Sequence, residues 1–381
     1  MVYSFGKPKV QRKLLPYLAL SGSATDPWTD FDIDRAIVIP DWEGEVEADW
    51  LYIKPDYTTE RGWRTVLINH VDGCGMMLPS VSKKNFMFRG PYFKGLLSVF
   101  NFLEFCKVNG APPVIKDVWG KEHDLIKEDI RIIFTASQLK LWKYYDDWDH
   151  YKREFKKNGC QFGTTNNEEE YNPDKDANYQ MLQTLQDFTD EEIKAYTAKT
   201  HEKILGIAQD KTAMLRTLKA DKRSYSAYQK ALYMYNELLR DGYSRQQLKD
   251  IKKRMLMDAK SGAIRCANKR LFVIPDWYAC CEHYFLHIPK PRGLVKPDEV
   301  VCRPYRGKDK IDVLRSPHLY MEHALRKVSD NPEAYKWFPT DAIVTSVLDT
   351  ISRILQFDRR SNKNTVNPDI RGVPKGANGE S

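Results

Sequence analysis

The tetrapeptide Ile-Pro-Asp-Trp occurs twice in this chain, at Ile39–Trp42 and at Ile274–Trp277, each time after β-branched residues. The first copy follows Ala36-Ile37-Val38 and opens a series of short β-rich runs, Asp49–Ile53 and Trp63–Asn69, broken by turn residues at Asp41–Gly44 and Lys54–Asp56. Short strands at this spacing indicate a β-sheet or barrel. Beyond Gly262 β-type sequence resumes with Arg270–Trp277. Two copies at corresponding points of two β units are what a chain built from a pair of such units retains.

Helical signals fill the space between. Leu141 to about Lys157 is aromatic and charged, and the polar, acidic stretch 159–176 reads as a solvated loop. Thr189 with Glu192 forms a capping box stapled by Phe188 and Ile193, and Ser244 with Gln247 repeats the device with Tyr243 and Leu248. Tyr225–Arg240 reads as a helix stopped by Gly242. Ile193, Tyr196, Ile204, Leu205, Leu215 and Leu218 fall mostly on one face, the pattern of a packed core. The expectation is an α+β chain: an N-terminal extension (1–34), a first β-barrel-like unit (35–140), a helical insert (141–262), a second β-barrel-like unit (263–358) and a disordered tail (359–381).

Composition narrows the classes. Hydrophobic residues make up 42% of the chain, enough for a core, and 60 Lys and Arg against 52 Asp and Glu leave a formal charge of +8. That excess suits contact with nucleic acid or phosphate without requiring it. No apolar run approaches the ~18 residues of a membrane span, so no membrane partner is expected. Residues Lys7–Ala24 faintly imitate a secretory signal, but the apolar part is short and broken by Pro16. Seven cysteines at irregular spacing read as reduced thiols in a cytoplasmic protein. Cys280, Cys281, His283 and His287 do not form a zinc set, because adjacent cysteines on a strand face opposite ways and no second pair stands at the usual spacing.

Three motifs follow the first β runs. Asp72-Gly73-Cys74-Gly75 lets the backbone turn tightly and expose amides, although alone it reads as an ordinary glycine turn. Phe88-Arg89-Gly90-Pro91-Tyr92-Phe93-Lys94-Gly95 sets a lysine against a glycine with an arginine five residues before it, two cations near a close backbone approach. After a helix expected over Leu97–Val108 and a β-like run, Ile130–Phe134, comes Phe134-Thr135-Ala136-Ser137-Gln138-Leu139-Lys140.

In this order the three motifs resemble the first catalytic barrel of the RNA polymerases that place their active site between two double-psi β-barrels, above all the RNA-dependent RNA polymerases of RNA silencing and related single-chain phage polymerases. The resemblance implies that Lys94 and Lys140 contact nucleotide phosphates with Arg89 in support. Arg315-Ser316-Pro317 resembles the family's arginine-x-proline element, which makes Arg315 a candidate to orient a phosphate or a carboxylate, although a structural arginine paired with Asp312 or Glu322 explains it nearly as well. Helical connectors separate the barrels in that family. The basic row Lys249, Lys252, Lys253 and Arg254, and the cluster Lys152-Arg153 with Lys156-Lys157, then become candidates for lining a nucleic-acid channel, although a solvated helix face explains them as well.

The resemblance departs where the chemistry sits. The family's second barrel ends in Asp-x-Asp-Gly-Asp, three carboxylates that hold Mg²⁺. Here the segment reads Phe357-Asp358-Arg359-Arg360-Ser361-Asn362, and Asp358 is the one matching catalytic and metal-binding residue. Three expectations follow: a polymerase-like protein that binds RNA or single-stranded DNA and nucleotides without polymerising alone; a nucleotidyltransferase completed by a second polypeptide, with Mg²⁺ as cofactor only then; or an interaction or inhibitor module of a phage or mobile element.

Overall fold

The computed structural model describes residues 25–169, 172–177, 189–220, 226–314, 323–349 and 364–367. The first unit contains β1 (Asp26–Pro27), β2 (Ala36–Ile39), β3 (Glu43–Ile53), β4 (Thr59–Asn69), β5 (Cys74–Met77), β6 (Phe86–Gly90), β7 (Phe93–Val99), α1 (Phe102–Asn109), β8 (Val114–Lys116), β9 (Glu122–Asp124), β10 (Ile132–Thr135), α2 (Trp148–Lys157) and β11 (Gly163–Asn167). Seven of these strands form one sheet in the order β1-β11-β6-β7-β5-β10-β2.

The helical part holds α3 (Asp190–Gly206), α4 (Lys211–Thr217), α5 (Ala227–Met234) and α6 (Gly242–Lys260), preceded by β12 (Lys175–Ala177). The second unit runs β13 (Ile264–Leu271), β14 (Val273–Pro275), α7 (Trp277–Leu286), β15 (Glu299–Cys302), β16 (Lys310–Leu314), β17 (His323–Val328), α8 (Pro332–Trp337), β18 (Ile343–Thr345) and β19 (Asn364–Asn367). Its eight-stranded sheet has the order β12-β13-β19-β16-β17-β15-β18-β14.

Within these sheets five strands repeat one design. In the first, β6 is antiparallel to β7, β7 parallel to β5, β5 antiparallel to β10, and β10 parallel to β2. In the second, β16 is antiparallel to β17, β17 parallel to β15, β15 antiparallel to β18, and β18 parallel to β14. The Ile-Pro-Asp-Trp copies sit at the ends of β2 and β14, the equivalent first strands. The chain is thus α+β, with two β-barrel-like units separated by a helical insert.

One hydrophobic cluster joins the units. It combines Ile37, Ile39, Cys74, Met76, Phe100 and Phe105 of the first with Ile274, Trp277, Cys281, Trp337, Phe338 and Val344 of the second. A second cluster lies inside the first unit, where Trp148, Tyr151 and Phe155 of α2 pack on Phe88, Phe93 and Phe134. A third fills the second unit around Val300, Ile311, Val313 and Ile343.

Several local readings change. Residues 163–167, expected in a solvated loop, form β11 and pair with β6 and β1, because the Phe162 ring anchors them to the aromatic core. The β3–β4 hairpin stands as a separate two-stranded ribbon outside the first sheet, with Trp63 and Leu67 exposed. The capping box at Thr189 and Glu192 is present, whereas Phe188 lies outside the described residues. Ser244 caps nothing: Asp241 caps α6 by accepting the Tyr243 amide at 2.8 Å, and Ser244 is buried against the Tyr228 hydroxyl at 2.8 Å. Gly242 therefore begins a helix instead of ending one, and the preceding helical stretch divides into α5, capped by Ser226 with Gln229, and a 3-10 turn at Asn236–Arg240. Ile193 and Leu205 are exposed; the helical core is built on Ile207, Leu218, Leu232, Leu239 and Leu248. Cys280 and Cys281 lie on α7 and not on a strand, and both are buried.

Candidate functional site

The three motifs of the first unit meet at the side chain of Gln138. Its Oε1 accepts the Thr135 amide at 3.1 Å, and its Nε2 donates to the carbonyls of Leu96 at 2.9 Å and Gly73 at 3.3 Å. A Cβ on Gly75 would stand 2.7 Å from Gln138 Oε1 and 2.6 Å from the Ile133 carbonyl, and a Cβ on Gly95 would collide with Gln138 Nε2 and the Gly73 carbonyl. The glycines of the Asp72–Gly75 and Phe88–Gly95 motifs thus admit a buried carboxamide, which satisfies the backbone groups it displaces. The turn amides expected to be exposed are also engaged, Gly73 N–H by Ser137 Oγ at 2.8 Å and Cys74 N–H by the Val71 carbonyl at 2.9 Å.

Around this clasp runs a polar network that begins in the first Ile-Pro-Asp-Trp. Asp41 accepts the Ser137 amide at 3.0 Å and the Asn69 side-chain amide at 2.7 Å, Asn69 accepts the Val71 amide at 3.0 Å, and Thr135 Oγ1 donates to the Cys74 carbonyl at 3.0 Å. Burial pushes the Asp41 carboxyl up from its ordinary range, the hydrogen bonds from Ser137 and Asn69 pull it down, and the nearby Asp72 adds to the rise. Asp41, Asn69, Ser137 and Gln138 were not singled out in the sequence; the repeated tetrapeptide was the signal for Asp41.

The candidate phosphate contacts gather beside the clasp. Phe93 and Leu139 form an isolated antiparallel bridge and are fully buried. Lys94 N–H donates to the Gln138 carbonyl at 3.2 Å, and Lys140 N–H to the Tyr92 carbonyl at 2.9 Å. Alternation then places Lys94 and Lys140 on the side of the ladder away from Phe93 and Leu139. Both are half-buried, and Lys140 Nζ bends back to the Ser137 carbonyl. Arg89 is the cross-strand partner of Lys94, and its Nε is enclosed without a hydrogen-bond partner. A buried orphan donor of this kind is costly, and a phosphate oxygen is the acceptor that suits it.

Other candidates separate. Lys152 pairs with Asp149 at 2.7 Å and with Asp34 at 3.8 Å, Lys156 pairs with Asp34, and Lys157 with Glu154 at 4.0 Å, so that cluster is largely neutralised on its own surface. On α6, Lys249 and Lys252 border a cavity of about 430 Å³. Arg254 falls nearly opposite on the helix, since nine residues from Arg245 at about 100° each make two and a half turns, and Lys253 lies to one side. Arg315 and Asp358 lie outside the described residues. Among the described residues no group of three or more His, Cys, Asp or Glu is placed to hold a metal ion, and no helix is long and apolar enough to cross a membrane.

Features near the second sheet had no sequence signal. Arg326 and Asp349 form a buried two-point ion pair at 2.6 and 2.8 Å. His323 is 1% exposed and bonded to Asp312 at 2.6 Å.

No protein-family model matches the chain. It is 46% identical over 351 residues to the DNA-directed RNA polymerase YonO of Bacillus phage SPbeta, covering 91% of this chain and 41% of that protein. Among solved structures it resembles the RNA dependent RNA polymerase QDE-1 from Thielavia terrestris, with a TM-score of 0.57 and 14% identity over 97% of this chain and 39% of that one. The second likeness is one of fold, and the chain spans about two-fifths of the length of each.

Proposed function

We propose that this chain, which belongs to the two-barrel RNA polymerase superfamily, is a polymerase scaffold that binds nucleotides and nucleic acid and does not polymerise by itself. The observation that carries the reading is the convergence of Arg89, Lys94 and Lys140 on the Gln138 clasp, with the enclosed Arg89 Nε lacking a partner. Two ammonium groups and a guanidinium beside a hydrogen-bonded turn supply the charge-assisted donors that a phosphate chain needs. Mg²⁺ would supply charge neutralisation and activation of a 3′ hydroxyl. No Asp-x-Asp-Gly-Asp occurs in the 381 residues, and Asp358 alone does not provide the several oxygen ligands such a hard ion needs.

A second reading is favoured by the coverage of the phage relative. The chain spans 41% of that protein's length, so a further polypeptide could complete the metal site around Asp358, giving an active nucleotidyltransferase. Primer extension by this chain with Mg²⁺ or Mn²⁺ decides between them. The scaffold reading expects no templated incorporation; incorporation that Asp358→Ala abolishes overturns it. Binding of single-stranded RNA or DNA measured against salt tests the nucleic-acid part, and a protein with no affinity at low salt is not such a scaffold.

A further inference from the structure

The helical insert contains a cavity of about 430 Å³ that lies apart from the barrel site. Its floor is apolar, with Ile207, Leu239 and Leu248 buried and Met214 half-buried. Its rim is cationic: Lys211, Arg240, Arg245, Lys249 and Lys252 face a single carboxylate, Glu237. Glu237 is already paired with Lys211 at 2.7 Å and with Arg240 at 3.1 Å. Among the described residues no ion pair involves Arg245, Lys249 or Lys252, which lie on one face of α6 at positions i, i+4 and i+7 around the buried Leu248.

Three like charges converging on an apolar pit are unfavourable until an anion joins them. The stripe extends over about 10 Å of helix, two turns at 1.5 Å per residue. One carboxylate head group brings a single charge to three cations, whereas two linked phosphates bring at least two charges and several acceptor oxygens. The volume lies in the range of pockets for compact ligands, and Asn236 on the wall offers an amide donor and acceptor for the edge of a heterocycle. We infer that this cavity binds a phosphorylated nucleoside, its base on the Ile207–Met214–Leu239–Leu248 floor and its phosphates on Arg245, Lys249 and Lys252. The same chemistry is presented by a free nucleoside diphosphate and by a base-bearing nucleotide within a single strand. The inference rests on the cavity and is independent of the barrel reading.

Equilibrium dialysis of the full chain with adenosine diphosphate, adenosine, pyrophosphate and decanoate tests it. Adenosine diphosphate is expected to bind about tenfold more tightly than adenosine or pyrophosphate, because each carries only half of the contacts. Lys249→Ala combined with Lys252→Ala should weaken that binding about tenfold or more. Ala208→Trp, at an exposed position on the wall, should close the mouth with the same effect and without disturbing the floor. Lys156→Ala, at a surface lysine already paired with Asp34, serves as the charge control and should leave this binding in place. Competition by an oligothymidylate, but not by an abasic strand of equal length, would assign the site to a strand nucleotide; competition by neither would assign it to the free ligand, and both support the inference. Binding unchanged in both cavity variants overturns it, as does decanoate binding as tightly as adenosine diphosphate and displacing it.

Discussion

The Gln138 carboxamide lies where a side chain on Gly75 would have to stand, its Oε1 2.7 Å from the position of that Cβ. The backbone of β5 is closed from behind by the Ile133 carbonyl, so neither neighbour can yield. Gly75→Ala should therefore cost about 2–4 kcal/mol through overpacking and the loss of hydrogen bonds to Gln138. Urea unfolding is the measurement, and a loss below about 0.5 kcal/mol, the scale of a surface substitution, would contradict the clasp.

Lys94→Ala and Lys140→Ala should each weaken nucleotide binding by about tenfold, the worth of one charge-assisted phosphate contact. Arg89→Lys should not preserve binding, since an ammonium cannot reproduce the donor geometry of the guanidinium. Calorimetric titration with a nucleoside triphosphate checks all three, and unchanged affinity in every variant would remove these residues from the site.

Lys252→Ala should weaken single-strand binding without sequence preference and lower the salt slope by about 0.7, the share of one phosphate contact on a single strand. Lys156→Ala should change neither, because Lys156 is already paired with Asp34. Equal effects of the two variants would mean that net charge, and not the α6 face, governs binding.

Asp276 carries a pH prediction. Burial pushes its carboxyl up to about 6, while the amides of Leu294, Val295, Ala279 and Tyr278 pull the other way. Against an unfolded value of 3.8, the folded protein holds a proton that the unfolded chain releases between roughly pH 4 and 6. This group's stabilising contribution is therefore complete below about pH 4 and declines as pH rises to about 6, by an amount of the order of 3 kcal/mol. Asp276→Asn removes the titration. The stability of the wild-type protein relative to that variant, from urea unfolding at a series of pH values, should fall as pH rises across that window; parallel profiles would mean that Asp276 does not titrate there.

Trp42 stacks on His70 at 4.0 Å and on His283 of α7 at 4.5 Å, the latter pair within 11° of parallel. Burial holds the His283 imidazole below its ordinary value. Trp42→Ala should lower stability by about 2 kcal/mol and let the His283 titration, followed by NMR, move up towards 6.5. An unmoved titration would show that Trp42 does not shield the ring.

The α+β class, with two strand-rich units around a helical insert, was legible in the sequence because it rests on periodicity and on turn residues. The strand-rich units, the capping box at Thr189 and Glu192 and the ordered glycine motifs are local signals, and each occupies one short window. What it could not convey were pairings between distant windows. Gln138 reads as one polar residue among others until β5 and β7 are brought against it, and Phe162 turns an acidic, polar stretch into strand β11 by entering a core formed by Phe88, Phe93 and Phe134. The start of α6 was misplaced for a local reason: Asp241 and Ser244 both carry capping chemistry, and burial of Ser244 against Tyr228 decided between them.

The two tryptophans of the repeated tetrapeptide each reach into the opposite unit. Trp42 leaves the end of β2 to stack on His283, and Trp277 leaves the end of β14 to donate its indole N–H to Ser98 Oγ of β7. Each half thus contributes an aromatic hook to the other, and severing the chain would strip both hooks of their sockets. Fragments divided within the helical connector would expose complementary apolar faces and regain their folded form by reassembling as a noncovalent heterodimer, so unfolding of the intact chain should be cooperative across both halves.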